Sequence, residues 1–166
     1  SPDEPSFLQP SPAKKIEMIR LMLVSSLSVL TLAACSQVVE DTRPGQPVKQ
    51  RQEAFKAMLR SFEPMGTMLR TNQYQPDAFS QLASELISRR DAPWGHFGPD
   101  TLYPPSKAKA AVWDRAEAFE RERQVFFERT DALLVAAQTR DQAQVQAAYA
   151  KVYDSCKSCH DDFKTK

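Results

Sequence analysis

From Val48 onward, apolar residues recur in alternating steps of about three and four: Val48, Phe55, Met58, Phe62, Met65 and Leu69. That spacing gathers them on one stripe of a helix and predicts an amphipathic helix from Pro47 to about Thr71. Gln75-Pro76-Asp77 reads as the entry to a second helix, because proline suits a first turn, and Phe79, Leu82, Leu86 and Ile87 continue its apolar face until about Arg90. Asp91-Ala92-Pro93 breaks the pattern. The stretch Pro93 to Pro105 is a predicted loop so rich in aromatic residues (Trp94, Phe97, Tyr103) that it must pack on something. A third helix is predicted from Ser106, with Val112, Ala116, Phe119, Phe126, Leu133 and Ala137 on one face. After Thr139-Arg140, Asp141 is placed to cap a fourth, with Gln144 completing a capping box and Val145, Ala148, Val152, Cys156, Cys159 and Phe163 facing inward. Four amphipathic helices, short connections and one longer crossing loop predict an all-α antiparallel four-helix bundle.

The pattern upstream is different. Lys14, Lys15 and Arg20 precede an apolar run from Leu21 to Ala34 that ends at Cys35, the layout of a signal peptide. The run falls short of the roughly 20 residues a membrane-spanning helix needs. Leu32-Ala33-Ala34-Cys35 resembles the lipobox of bacterial lipoproteins, which makes Cys35 the expected lipidation site and a membrane anchor the expected partner. Met18 is a candidate start of translation. The expected division is residues 1–35 as leader, signal peptide and lipobox, 36–46 as tether and 47–166 as the bundle, exported to the periplasm.

Composition narrows the function classes. Without the leader, the chain has the length of one domain with a single core. Only 4 glycines occur, and Leu, Ala, Gln, Glu, Lys and Arg crowd the second half, which favours helix. The 22 basic and 21 acidic residues are interspersed to a net charge of +1, so no basic stripe is available to grip nucleic acid.

The chemistry is concentrated in Cys156-Lys157-Ser158-Cys159-His160, a C-x-x-C-H pattern. Two thiols one helical turn apart can each add to a haem vinyl group, while the adjacent imidazole reaches the iron. The expected cofactor is one covalent haem c, with His160 as axial iron ligand. Zinc lacks ligands, because the only other histidine, His96, is a distant loop residue. A thioredoxin-type redox pair belongs at the start of a helix in an α/β chain, not near the end of an all-α one. The sixth iron position is open between Met58, Met65 and Met68, each of which also suits plain core packing, and no ligand at all.

Taken together, the C-terminal Cys-Lys-Ser-Cys-His, the Arg51-Gln52 pair entering the first helix and the Pro93-Trp94-Gly95-His96-Phe97-Gly98-Pro99 loop resemble bacterial cytochromes c′ across essentially the whole mature domain. The resemblance implies a four-helix homodimer whose five-coordinate iron binds nitric oxide and carbon monoxide. It implies Arg51 and Gln52 as haem-binding residues and places Phe55 over the open iron face, where low-spin relatives carry a ligating Met. Phe cannot ligate, so five-coordinate iron is expected. Lys164 stands where many members carry Arg, which keeps the positive charge and loses the planar fork.

An apolar ring over iron offers bound dioxygen no hydrogen bond, and no distal His or Arg is evident to cleave a peroxide, so the expected role is gas binding and redox cycling rather than enzyme catalysis. The alternative is an electron-transfer cytochrome with an unknown redox partner and no physiological gas ligand. His96, Trp113 and Tyr149 are expected to be packed or surface residues.

Overall fold

The computed structural model describes residues 38–166. Helix α1 spans Pro47–Arg70 and α2 spans Pro76–Arg89; a 3-10 turn, Trp94–His96, follows in the crossing loop. Then come a short α3, Ala111–Asp114, and two long helices, α4 at Ala116–Thr139 and α5 at Gln142–Phe163. Helix α1 packs on α2, α2 on α4 and α4 on α5, so the four long helices form the bundle. The expected leader and Cys35 lie outside the described residues. None of the helices among the described residues is long and apolar enough to cross a membrane.

The predicted stripes face the core. Val48, Met58, Phe62 and Met65 of α1 are buried with Phe79 and Leu86 of α2, Phe126, Leu133 and Ala137 of α4, and Val145 and Val152 of α5. Full burial of a side chain of this size contributes about 1.5–3 kcal/mol. Pro47 and Pro76 occupy the first turns of α1 and α2, where a missing N–H costs nothing. Asp141 caps α5 by accepting from the backbone N–H groups of Ala143 (2.9 Å) and Gln144 (3.1 Å). The reciprocal half of the expected box differs: Gln144 donates to the Asp141 carboxylate, and the Asp141 backbone N–H turns to Thr139 Oγ1.

The expected tether is fastened from Asp41 on. Asp41 is only 2 % exposed and accepts from the backbone N–H groups of Val48 (2.9 Å) and Lys49 (3.2 Å), so it satisfies the start of α1 in place of a capping side chain at Gln46. Tyr103 Oη and the Arg43 backbone N–H donate to the same carboxylate.

The third helix does not begin at Ser106. Residues 106–110 are non-helical because their backbone pairs with the C-terminal end: Lys109 N–H donates to the Phe163 carbonyl and Thr165 N–H to the Lys107 carbonyl, both at 2.8 Å. Arg115 (φ −123°, ψ 49°) then interrupts the helix, which rotates the apolar register. Val112 is buried while Ala116 is exposed, against the single face predicted for both.

Helices α1 and α5 run antiparallel and meet through Phe62, Gly66 and Tyr149. Toward the N-terminus of α1 and the C-terminus of α5 the space between them opens into a cavity.

Candidate functional site

The cavity measures about 380 Å³. Its walls carry Arg51, Gln52 and Phe55 from α1, Cys156, Cys159 and His160 from α5, and Lys164 just beyond. The helical period explains the convergence, since 52, 55 and 59 share one face of α1 while 152, 156, 159 and 163 share one face of α5.

Cys156 and Cys159 are free thiols. Burial pushes the Cys156 thiol up to about 11; burial, followed by nearby Glu122, pushes the Cys159 thiol up to about 12. Such thiols are protonated at neutral pH, unlike the thiolates of a redox pair. Among the described residues no group of three His, Cys, Asp or Glu side chains is placed to share a metal ion. His160 is held below the usual imidazole range, first by burial and then by the charge of Lys164, so its ring is neutral with a lone pair free.

The remaining walls divide into an apolar and a cationic part. Phe55, Met58, Phe62, Leu86, Phe126 and Val152 supply the former. Phe55 sits edge-on to Trp94, ring centroids 5.5 Å apart, and Trp94 in turn contacts Phe97, Phe119, Phe126 and Phe127. The Trp94 indole N–H donates to the Arg90 carbonyl at 2.6 Å, which locks this hub in place. The aromatic loop thus packs on the bundle as a cavity wall. Of the methionines weighed as ligands, Met58 lines the cavity; Met65 is core and Met68 packs against it.

Arg51 dominates the polar end. It is 3 % exposed and forms no ion pair with any described carboxylate. Instead it donates to the His96 carbonyl, the Thr101 hydroxyl and carbonyl, and the Ser106 hydroxyl, at 2.6–3.1 Å. Its guanidinium stacks 4.6 Å from the Phe97 ring centroid. Burial lowers its pKa from the usual arginine value, with Tyr103 and Asp41 opposing. A buried cation with neutral partners calls for an anion. Gln52 donates to the Pro105 carbonyl at 3.0 Å.

His96 contributes its backbone carbonyl to Arg51 rather than its ring to the cavity. The Trp113 indole holds the loop by donating to the Phe97 and Gly98 carbonyls, and Tyr149 stacks on Phe62. Sequence reading missed Trp94 as the hub, Lys107 and Glu122 as wall residues, and the role of Asp41. The aromatic density of the loop was the one signal for the first; the others depend on chain segments that meet only in the fold.

The donor set fits a covalent haem: two thiols and a neutral imidazole on one helix face, an apolar slot, and a buried cation at the polar end for a carboxylate.

Comparison with known proteins agrees. The family model described as Cytochrome C′ matches residues 46–164. Cytochrome c′ of Cereibacter sphaeroides is 31% identical over 159 residues, covering 90% of this chain and 99% of that protein. The structure of cytochrome c prime from Shewanella frigidimarina superposes with a TM-score of 0.71 at 28% identity, covering 75% of this chain and 98% of that one. Cytochrome c prime from Alcaligenes xylosoxidans, as the nitric oxide complex of a leucine-to-isoleucine mutant and as a carbon monoxide-bound leucine-to-glycine variant, gives a TM-score of 0.70 at 30% identity, covering 76% of this chain and 100% of each of those.

Proposed function

The chain belongs to the cytochrome c′ family, whose members carry one covalently bound haem c, and from that premise we propose that it binds nitric oxide and carbon monoxide at a five-coordinate iron and cycles between ferrous and ferric states in the periplasm. The observation that carries this reading is the meeting of Cys156, Cys159 and His160 with Phe55 on one apolar cavity.

Cys156 and Cys159 would hold the haem, each by one carbon–sulfur bond formed as its S–H adds across a vinyl group, and His160 would offer its neutral ring nitrogen to the iron. When bound, the haem would supply an iron able to take a diatomic gas and a one-electron couple. Arg51 would serve as counter-ion to a carboxylate of the haem, and Gln52, tied to the Pro105 carbonyl, would support that end of the site. Phe55, braced by Trp94, offers no donor atom, excludes water and anions, and yields to a small neutral gas. Lys164 supplies positive charge beside His160 without the bidentate fork of arginine. These roles describe a binding and redox protein rather than an enzyme, and by the family resemblance it works as a homodimer. The sequence 14–35 supports export and a lipid anchor at Cys35.

A second reading has one observation in its favour. Met58 lines the same cavity, and ligation by its thioether would make a closed electron carrier. The optical spectrum of the haem-loaded protein separates the two. A high-spin spectrum in both oxidation states that shifts on adding nitric oxide or carbon monoxide is expected; a low-spin spectrum indifferent to either gas overturns the open-iron reading in favour of Met58.

A further inference from the structure

The chain just ahead of α1 is clipped to the bundle. The Asp41 carboxylate accepts from the Val48 and Lys49 N–H groups at the start of α1 and, at 2.9 Å, from the Tyr103 hydroxyl in the aromatic loop. The Gln46 side-chain amide donates back to the Asp41 carbonyl at 2.8 Å. Arg43 completes the clip, donating to the Asp100 carbonyl at 2.8 Å with its guanidinium 3.8 Å from the Tyr103 ring centroid. Residues 41–46 are therefore pinned at the end of the bundle where α1 begins and the cavity lies, opposite the end where Gln142 donates to Asn72.

Cys35 precedes Asp41 by six residues, a stretch that spans at most about 20 Å when fully extended. Helix α1, with 24 residues, is about 36 Å long. With an acyl chain on Cys35, a tether this short keeps the pinned end near the bilayer, and the groups exposed at that end decide how the bundle stands.

Those groups suit a lipid surface. Val39 and Leu102 are among the large apolar side chains that the fold leaves exposed, and each lies within two residues of the Asp41–Tyr103 hydrogen bond. Around them Arg43, Lys49 and Lys107 are exposed cations without an ion pair among the described residues, against the exposed carboxylates Glu40 and Asp100. Burial of apolar area and attraction to anionic headgroups add together at such a surface.

We propose that Val39 and Leu102, flanked by Arg43, Lys49 and Lys107, seat the cavity-bearing end of the bundle on the membrane surface. The seating rests on the anchor at Cys35 proposed above and adds which end of the bundle meets lipid.

The test uses the holoprotein purified from detergent-solubilised whole cells and placed in vesicles of phosphatidylethanolamine and phosphatidylglycerol. The vesicles carry a trace of phospholipid with a photoreactive diazirine on its headgroup. Intact mass reads the acylation of Cys35, and peptide mapping after illumination reads which residues touch lipid. Adducts are expected in 39–49 and 100–107 and are expected to be scarce in 71–75 and 139–142. A Val39→Asp/Leu102→Asp variant, altered only at exposed positions and checked for an unchanged melting temperature, is expected to lose roughly tenfold in adduct yield. Adducts spread evenly over both ends, or an unchanged yield in the variant, overturn the seating and leave the anchor standing. A Cys35 without an acyl chain overturns the anchor and the seating together.

Discussion

The ring of Tyr149 on α5 lies flat on Phe62 of α1, centroids 4.3 Å apart and planes within 12° of parallel. This stack joins the first and last helices at one end and lets them diverge at the other, where the cavity lies. Gly66 makes the approach possible, because a Cβ there would overlap the Tyr149 hydroxyl and come within 2.9 Å of its ring carbon.

Gly66→Ala is therefore expected to destabilise the fold by about 1–2 kcal/mol, since unstacking Tyr149 outweighs the roughly 1 kcal/mol of helix propensity that alanine adds. Urea unfolding measures it. A variant at least as stable as the native chain would show that α1 and α5 do not depend on this contact.

Arg51→Leu removes a buried donor from Thr101, Ser106 and the His96 carbonyl and frees the aromatic loop from α1. A loss of about 2–4 kcal/mol is expected, because those acceptors stay buried without a partner. Amide hydrogen exchange should speed up across 94–106 before other segments, and uniform loss of protection would place Arg51 outside the loop's support.

Asp41 gives a pH dependence of defined sign. Burial acts to raise its pKa, but hydrogen bonds from the Lys49 N–H, the Tyr103 hydroxyl and the Arg43 and Val48 N–H groups outweigh it and hold the carboxyl below its ordinary 3.8. The unfolded chain then takes up the proton first, so the contribution is complete above the ordinary carboxylate range and fades as pH falls below about 4. The melting temperature of Asp41→Asn should lie below that of the native chain at pH 6, and the gap should narrow toward pH 3. A gap independent of pH would assign the effect to shape rather than charge.

Phe55→Met is expected to move the iron toward six-coordinate, low-spin character and to weaken the optical response to carbon monoxide, whereas Met58→Leu is expected to leave the native high-spin spectrum in place. If Met58→Leu is the variant that changes the spin state, the sixth ligand is Met58 and the protein is a closed carrier.

Much of this was legible before any coordinates. Periodicity located α1, α2 and α5 to within a residue or two, because their stripes run unbroken from a proline or an aspartate at one end to a turn at the other. The start of the third helix escaped because Ser106 to Ala110 has helical composition but gives its backbone to residues 163–165, more than fifty positions away. Local propensity carries no information about such a pairing.

The same division holds for the site. The C-x-x-C-H spacing by itself set the haem chemistry on α5, because adjacency along one helix turn is a property of the chain, and the Arg51-Gln52 and Trp94 motifs brought in the family. Only the tertiary structure decided that Met58 lines the cavity while Met65 does not, that Arg51 is buried without a carboxylate, and that Lys107 and Lys164 line one cavity. Those facts depend on the rotation of α1, the break at Arg115 and the spreading of α1 from α5, which are settled by how distant side chains pack together.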